Sequence, residues 1–329
     1  MKVLIVNKNE IKDAITMQQC IEVMEDLFVQ LEEGIANNPL RKAMVLPKNS
    51  GGLLSMMPGY NSQKNIMGIK TVSVYPENAK IGLESHQGTV TLFNSKNGIP
   101  LAIMDASQIT SIRTAAVSAV ATKALANKNS KVLAIIGSGV QAISHIEAMN
   151  EILDLEEIRV WSRNKKNVEI FIKNQRKKYS IPFIHAHSIS DALKKADVVC
   201  TTTSSNEPII FSNHIERGMH INAVGSSAKN AREFDGNSMK LSKLYVDKIE
   251  STLNESGDFL LAKKEGIIDD KHILGTIGEV LINNRNGRES KSDITLFKSL
   301  GLAIEDIATA FYIYEKCKNS NKGHWVEFC

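Results

Sequence analysis

Lys131–Ala142 reads K-V-L-A-I-I-G-S-G-V-Q-A, an apolar run followed by glycines at positions 137 and 139. An unbroken apolar run is typical of a parallel strand buried on both faces. Glycines directly after it let the backbone turn tightly and approach a phosphate, which the first amides of a following helix can bind. Gly-x-Gly also occurs in ordinary turns. Here a helical pattern over Gln141–Met149 and a second apolar run at Ile158–Trp161 follow at βαβ spacing, so we interpret the stretch as a dinucleotide-binding fingerprint.

The same alternation of apolar runs and helical segments continues to about residue 300. It predicts an α/β Rossmann domain, that is, a doubly wound parallel sheet. A helix over Leu296–Tyr314 is expected to leave this domain and return to the first one. The six predicted strands are Lys131–Gly137, Ile158–Trp161, Phe183–His185, Val198–Thr202, His220–Val224 and Leu244–Asp247.

The N-terminal region has a different pattern. Apolar residues at helical spacing predict an amphipathic helix over Met17–Gly34. From Arg41 to Met104 short alternating runs are broken by Gly and Pro, which predicts an α+β domain with a mainly antiparallel sheet. Its second face needs a cover, for which another subunit is a candidate. We therefore expect a substrate-binding and dimerisation domain over residues 1–115 with 310–329, and a Rossmann domain over residues 116–309.

Composition excludes several classes of function. The 329 residues carry a formal net charge of +4 with dispersed Lys and Arg, which gives no support to nucleic acid or a membrane as a partner. No apolar segment is long enough to span a membrane, and Met1–Val6 lacks the pattern of a signal peptide, so a cytoplasmic protein is expected. Cysteines at positions 20, 200, 317 and 329 lack metal-binding spacing. They favour reduced structural thiols, and no metal is expected.

A helix rich in alanine is predicted over Thr110–Ala126, with Arg113 in its first turn. A cation at a helix N-terminus is electrostatically unfavourable unless an anion is also there. That anion is either a substrate carboxylate or a structural Asp or Glu.

Several segments together resemble the ornithine cyclodeaminase/mu-crystallin family of NAD(P)-dependent enzymes over nearly the whole chain. The resemblance implies a homodimer whose first domain supplies the interface and much of the substrate site. It leaves the reaction open among cyclodeaminases, amino-acid dehydrogenases, ketimine reductases and ligand-binding crystallins. The matching motifs are Pro39-Leu40-Arg41, Met57-Pro58-Gly59-Tyr60, Gly68-Ile69-Lys70, His86-Gln87-Gly88, Thr110-x-x-Arg113-Thr114-Ala115-Ala116, Gly137-Ser138-Gly139-Val140-Gln141 and Ser299-Leu300-Gly301-Leu302-Ala303-Ile304-Glu305-Asp306.

The resemblance places Arg41, Lys70 and Arg113 around the substrate carboxylate. Guanidinium groups bind carboxylates with two parallel hydrogen bonds and thereby fix the α-carbon for hydride transfer. Taken singly, each of these residues is also compatible with a solvated surface charge. Lys70 is the expected proton donor or acceptor for the substrate nitrogen, because an ammonium beside arginines and an apolar wall loses its proton more easily. Asp306 is expected to face cofactor or substrate, with a helix-surface salt bridge as the alternative.

Residues at two positions help to choose among the reactions that the resemblance leaves open. By resemblance, cyclodeaminases carry acids where this chain has Ser55 and Ser227, and those acids manage the amino groups of the substrate. A diamino acid that cyclises needs a carboxylate to accept a proton, and serine replaces it poorly. We therefore favour reduction of a cyclic ketimine of the Δ1-pyrroline-2-carboxylate type over ornithine cyclisation, and assign Ser227 to the catalytic site. The alternatives are an ornithine cyclodeaminase with bound NAD, an alanine or other amino-acid dehydrogenase, and an NADPH-dependent ligand-binding protein.

The residues at the end of the second Rossmann strand indicate whether NADP(H) or NAD(H) is preferred. NAD-specific domains usually have an acid there, whereas this chain has Trp161-Ser162-Arg163-Asn164-Lys165. Ser162 with Arg163, and Lys165, would attract a 2′-phosphate, unless they only begin the next helix. NADP(H) is therefore preferred and NAD(H) is possible. The residues expected to contact the cofactor are Gly137, Gly139, Val140, Gln141, Ser162, Arg163, Lys165, Thr202, Val224, Ser299 and Gly301.

Overall fold

The described residues, 1–47, 51–320 and 323–328, form two units in this computed structural model. Unit 1 comprises Met1–Arg113 and Leu302–Cys329, and unit 2 comprises Thr114–Gly301. The boundaries expected from the sequence lie after residues 115 and 309. The second boundary lies earlier because the last helix begins at Ala303 and packs on the strands of unit 1.

Strands and helices alternate along the chain in unit 2, whereas most strands of unit 1 follow one another directly. In chain order they are β1 (Lys2–Val6), β2 (Ala36–Asn37), β3 (Lys42–Val45), β4 (Leu53–Asn61), β5 (Ile66–Val74), β6 (His86–Asn94), β7 (Pro100–Asp105), β8 (Val132–Ile136), β9 (Glu157–Trp161), β10 (Phe183–His185), β11 (Val198–Thr201), β12 (His220–Ala223), β13 (Lys243–Val246), β14 (Ile273–Thr276), β15 (Thr295–Lys298) and β16 (His324–Glu327).

The helices include short 3₁₀ turns at Pro76–Ile81, Ser212–His214 and Asp270–His272. The α-helices are α1 (Lys8–Ala14), α2 (Met17–Glu32), α3 (Ala106–Leu125), α4 (Val140–Ile152), α5 (Lys165–Gln175), α6 (Ile189–Leu193), α7 (Gly236–Leu241), α8 (Ile249–Glu255), α9 (Gly257–Lys264), α10 (Ile277–Leu281) and α11 (Ala303–Ser320).

The sheet of unit 1 is mixed and mainly antiparallel, as predicted. Its order is β16-β1-β7-β6-β5-β4-β2, with β3 paired to β4. Only the β1–β7 pair is parallel among the strand pairs of the described residues in this unit. The strands β1 and β16 were not predicted from the sequence. Helix α11 packs on β4, β5, β6 and β7, and α2 packs on α11. One face of the sheet is thus buried under helices.

Alternation along β5 decides which of its side chains lie under α11. Ile66, Gly68, Lys70 and Val72 are buried, whereas Met67 on the other face is exposed. The helix comes so close that a Cβ at Gly68 would lie 2.8 Å from the Thr91 carbonyl and 3.1 Å from Ile307 Cγ1. Because strand side chains alternate between faces, this register carries a charged Lys70 into the interior.

The sheet of unit 2 is fully parallel, as the Rossmann prediction requires. Its order is β10-β9-β8-β11-β12-β15-β13-β14. The six predicted strands are present, and β14 and β15 were missed. The predicted helix over Leu296–Tyr314 is wrong at its start, because residues 295–298 form a completely buried strand. Gly301 (φ 77°) then ends the turn that precedes α11.

The start of α3 also differs from the prediction. The helix begins at Ala106, and the Asp105 carboxylate accepts a hydrogen bond from the Gln108 amide at 2.8 Å, as an N-cap does. Arg113 therefore lies in the third turn and not in the first. The helix-dipole argument for a nearby anion was wrong, because the dipole acts mainly within the terminal turn.

Cys20, Cys200 and Cys317 are buried, while Cys329 lies outside the described residues. Burial raises the pKa of Cys20 and of Cys200 to about 12, so both remain protonated at neutral pH. Among the helices of the described ranges, none has the length and apolarity needed to cross a membrane.

Candidate active site

Four charged side chains meet beneath the sheet of unit 1. Lys70 comes from β5 and Arg113 from α3, while Glu305 and Asp306 come from the first turn of α11. Each is at most 4% exposed. Acids in the first turn of a helix are favourable because the N-terminal end of the helix dipole is positive.

The cluster is held by direct ion pairs. Lys70 Nζ donates to Asp306 Oδ1 at 2.9 Å and to the Thr110 hydroxyl at 2.6 Å. Arg113 Nε donates to the same Asp306 Oδ1 at 3.1 Å, and its Nη1 donates to Glu305 Oε2 at 2.5 Å. The structural Asp or Glu partner considered for Arg113 therefore exists. Since Asp306 is fully buried, the alternative of a helix-surface salt bridge is wrong for it.

The two cations respond differently to this environment. Burial, opposed by Asp306 and assisted by the charge of Arg113, lowers the pKa of Lys70 to about 8. For Arg113 burial also disfavours the charge, but Asp306 and Glu305 outweigh it and raise its pKa. Lys70 can thus exchange a proton near neutral pH, while Arg113 stays a permanent cation.

Two cations and two carboxylates leave the cluster close to neutral. Within the described part of the chain, no group donates a hydrogen bond to the buried Asp306 Oδ2. A buried acceptor without a donor is costly, so this oxygen is suited to a donor brought by a ligand. A polar ligand that carries both an anionic and a cationic group would suit such a site.

Strand register gives the positions of Arg41 and Ser55 relative to Lys70. Lys42 pairs with Met56, and Met57 pairs with Lys70, so Arg41 precedes β3 at the level of Lys70. Ser55 pairs with Val72, on the same face of the sheet as Lys70. That Arg41, Lys70 and Arg113 together hold a substrate carboxylate stays a prediction.

Ser227 belongs to unit 2, in the segment after β12. It is exposed, whereas its neighbour Ser226 is buried and donates from Oγ to the Ala231 carbonyl at 2.5 Å. A catalytic role for Ser227 stays a prediction.

The residues expected to contact a dinucleotide lie at one edge of the unit 2 sheet. All its strands are parallel, so the segments that follow them share the carboxyl edge, where open α/β sheets bind ligands. The predicted residues follow five neighbouring strands: Gly137 after β8, Ser162 after β9, Thr202 after β11, Val224 after β12 and Ser299 after β15.

The geometry after β8 fits a pyrophosphate. Gly137 has φ 123°, and a Cβ there would lie 2.6 Å from Thr202 Oγ1, so only glycine is accommodated. Gly139 caps α4 without a side-chain hydrogen bond, and a Cβ on it would meet no atom within 4 Å. Val140, the first residue of α4, is exposed, so an anion can reach the start of this helix.

The turn after β9 carries the residues proposed for a 2′-phosphate. Ser162 is half-buried, and Arg163 and Lys165 are exposed. Lys165 is the first residue of α5, whose N-cap Asn164 accepts from the Asn167 amide at 3.3 Å. Lys165 thus begins the helix, as the alternative reading stated, while Ser162 and Arg163 lie before it.

The turn after β15 is fixed by a buried acid. Asp247 Oδ2 accepts from the Leu300 amide at 2.6 Å and from the Gly301 amide at 2.9 Å. The Ser299 amide donates to the Ala223 carbonyl at 3.1 Å. Ser299 and Gly301 therefore occupy a rigid turn next to the end of β12.

Sequence reasoning missed three polar residues that organise these regions. Thr110 and Glu305 stood in the family motifs without a role, and Glu233 stood in a short charged stretch. For Thr110 and Glu305 the available signal was a polar residue inside a motif, whereas Glu233 had no such signal.

Comparison with known proteins agrees with this architecture. The profile of the ornithine cyclodeaminase/mu-crystallin family matches residues 1–321. Ketimine reductase mu-crystallin of Mus musculus is 38% identical over 288 residues, 88% of each chain. Thermococcus litoralis Δ1-pyrroline-2-carboxylate reductase in complex with NADH and L-proline has a TM-score of 0.95 and 40% identity over 98% of this chain and 100% of that chain. An archaeal alanine dehydrogenase dimer with bound NAD has a TM-score of 0.94 and 32% identity over all of both chains. The chain therefore belongs to the ornithine cyclodeaminase/mu-crystallin family.

Proposed function

We propose that this protein is an NAD(P)H-dependent reductase of small cyclic ketimines that carry a carboxylate beside the C=N carbon. A ring of the Δ1-pyrroline-2-carboxylate type, with proline as product, is the substrate class. The observation that carries the proposal is the buried Lys70–Asp306 pair beside Arg113, with a Lys70 pKa of about 8. Its similarity to a pyrroline-2-carboxylate reductase and to a ketimine reductase supports the same reaction.

The residues of the cluster divide the work. The guanidinium of Arg113, with Arg41, binds the substrate carboxylate and so fixes the α-carbon. Lys70 Nζ gives its proton to the imine nitrogen while the C=N double bond becomes single. Asp306 keeps Lys70 charged before the transfer. Reduced nicotinamide, if held by the residues expected after β8, β9, β11, β12 and β15, would supply the hydride for the α-carbon.

The choice of a ketimine over ornithine rests on Ser55. Its hydroxyl stands on the buried face of β4, on the side of Lys70, where a cyclising diamino acid would need a carboxylate. A second candidate function is an open-chain amino-acid dehydrogenase, which the similarity to alanine dehydrogenase favours.

Nicotinamide absorbance distinguishes these functions. Purified protein is mixed with NADPH or NADH and with Δ1-pyrroline-2-carboxylate, Δ1-piperideine-2-carboxylate, or pyruvate plus ammonia, and separately with ornithine and catalytic NAD. Cofactor oxidation with a cyclic imine supports the proposal. Proline and ammonia from ornithine without net cofactor change would refute it, and turnover limited to pyruvate plus ammonia would favour the dehydrogenase.

The pH dependence of reduction follows from Lys70. Since the protonated amine is the donor and its pKa is about 8, kcat/KM for the imine should fall as pH rises through about 8. Asp306 raises that pKa, so Asp306→Asn should move the alkaline limb to lower pH, by about one unit or more. The measurement is a pH–rate profile of both proteins. Glu22→Gln, an exposed acid on α2, serves as the control and should leave the limb in place. An unmoved limb in Asp306→Asn would contradict the assignment.

We further propose that NADP(H) is preferred. Ser162 and Arg163 follow β9, where an acid would repel a 2′-phosphate. Ser162→Asp with Arg163→Ala should weaken NADPH binding about tenfold or more and spare or improve NADH binding, as measured by fluorescence titration. Lys177→Ala, which removes an exposed cation beyond α5, is the control. Equal loss for both cofactors, or tighter wild-type binding of NADH, would contradict this preference.

A homodimer is proposed on the outer face of the unit 1 sheet. Tyr60 is 42% and Met67 38% exposed, and they line an apolar groove with Pro58, Ile69 and Phe93. Exposed apolar patches of this kind mark interfaces. The dimeric structure of the archaeal relative supports a second copy as the cover.

A further inference from the structure

Glu233 is a fully buried carboxylate that neither the fingerprint nor the catalytic cluster includes. It lies between β12 and α7 and accepts four hydrogen bonds. Oε1 accepts from the Thr203 amide at 2.9 Å and the Thr203 hydroxyl at 2.6 Å. Oε2 accepts from the Thr201 hydroxyl at 2.6 Å and the Gly225 amide at 2.9 Å. One side chain thus ties the chain after β11 to the chain after β12.

The main chain at Gly225 lies directly against the Glu233 carboxylate. A Cβ on Gly225 would lie 2.4 Å from Glu233 Oε1 and 2.3 Å from the Thr203 carbonyl. Glycine at this position therefore lets the carboxylate lie directly against the main chain.

A buried ion pair holds Glu233 in turn. Asp258 Oδ1 accepts from the amides of Glu233 and Phe234 at 2.8 and 3.1 Å. Lys298 Nζ lies 2.9 Å from Asp258 Oδ2 and donates to the Ser226 carbonyl at 2.6 Å. Lys298 is the last residue of β15, so the ends of three neighbouring strands are joined through buried charges. Such a network is rigid because breaking one member leaves the others unpaired.

The position of these strands in the sheet indicates which half of a dinucleotide would lie near the network. The sheet order is β9-β8-β11-β12-β15, and the pyrophosphate site follows β8. The turn after β9, proposed above for the 2′-phosphate of the adenosine half, lies on one side of β8. A dinucleotide extended across the carboxyl edge must place its other half over the ends of β11 and β12.

We propose that Glu233 is a positioning residue that shapes the binding surface for the nicotinamide half of the cofactor, acting through the segments after β11 and β12. The inference rests on the dinucleotide binding of the proposed function. In this proposal Glu233 makes no contact with the adenosine half of the cofactor. Loss of the Glu233 charge should therefore weaken binding of the whole dinucleotide but not binding of its adenosine half.

The test compares a whole dinucleotide with its adenosine half. Glu233→Gln keeps the shape of the side chain but turns an amide nitrogen toward a donor such as the Gly225 amide. NADPH and NADH are titrated by fluorescence, and ADP by calorimetry. Dinucleotide binding should weaken about tenfold, while ADP binding stays within about twofold of wild type.

Asp235→Asn is the matched control, because it removes a carboxylate two residues away and asparagine remains a good N-cap for α7. It should bind all ligands as wild type does. Thr201→Val is a second variant that removes one hydrogen bond at constant shape and should weaken the dinucleotide about threefold. It decides the question if Glu233→Gln does not fold.

The outcomes distinguish failure of the proposed function from failure of the positioning role of Glu233. If wild type binds neither NADPH nor NADH, the proposed function and this inference both fail. If wild type binds them but the variants bind the dinucleotide unchanged, or lose dinucleotide and ADP in parallel, only the positioning role is refuted.

Discussion

Replacing Lys70 by methionine is expected to lower kcat for imine reduction by about 10²–10⁴-fold. Methionine fills a similar volume but has no proton to give to the substrate nitrogen. Binding of NAD(P)H should be unchanged, because the fingerprint belongs to unit 2 and Lys70 to unit 1. Steady-state kinetics with Δ1-pyrroline-2-carboxylate and fluorescence titration of the cofactor measure the two effects.

Lys70→Arg separates charge from proton transfer. Arginine keeps a cation opposite Asp306, but its pKa is too high for it to act as a donor. It should therefore be nearly as inactive as the methionine variant while keeping more of the stability. Lys64→Met, at an exposed position between β4 and β5, is the control and should be fully active. Near-normal rates in either Lys70 variant would exclude its role as proton donor.

Arg113→Met is expected to destabilise the fold by about 3–5 kcal/mol. Its guanidinium bonds Glu305 and Asp306, both completely buried, and removal leaves those carboxylates short of a partner. Urea unfolding monitored by circular dichroism gives the change in free energy. Arg113→Lys restores a charge without the two-pronged geometry, so it should recover part of the stability yet raise KM for the imine about tenfold or more.

An exposed ion pair provides the control for the effect of Arg113→Met on stability. Lys131 pairs with Glu156 at the surface, and Lys131→Met should leave the unfolding midpoint near that of wild type. An Arg113→Met protein as stable as Lys131→Met would mean that the buried ion pairs add no net stability. A normal KM in Arg113→Lys would leave Arg113 a structural role only.

The Rossmann unit was predictable because its signals are local. The apolar runs, the glycines of the fingerprint and the helix that follows them lie within about twenty residues of one another, and the six expected strands all form. The strand Thr295–Lys298 was missed because its residues were included in the helix predicted over Leu296–Tyr314. Lys298 is buried only because Asp258, forty residues earlier, balances its charge.

The candidate site was predictable in part. Lys70 and Arg113 stood in recognisable motifs, and their residue types indicated a carboxylate ligand. Their real partners were not predictable, because Glu305 lies 192 residues from Arg113 and meets it only when α11 packs on the sheet. Arg113 was also placed at a helix N-terminus, because the helix was expected to begin at Thr110, whereas it begins at Ala106 behind Asp105.

The central claim is that a hydride and a proton are added to the C=N bond of a cyclic ketimine acid, and an isotope experiment tests it most directly. Δ1-Pyrroline-2-carboxylate is incubated with the protein and with NADPH or NADH deuterated at the transferred position of the nicotinamide. We expect proline with one deuterium at its α-carbon, formed in step with cofactor oxidation. No proline from the imine, or proline without deuterium at that carbon, would contradict it.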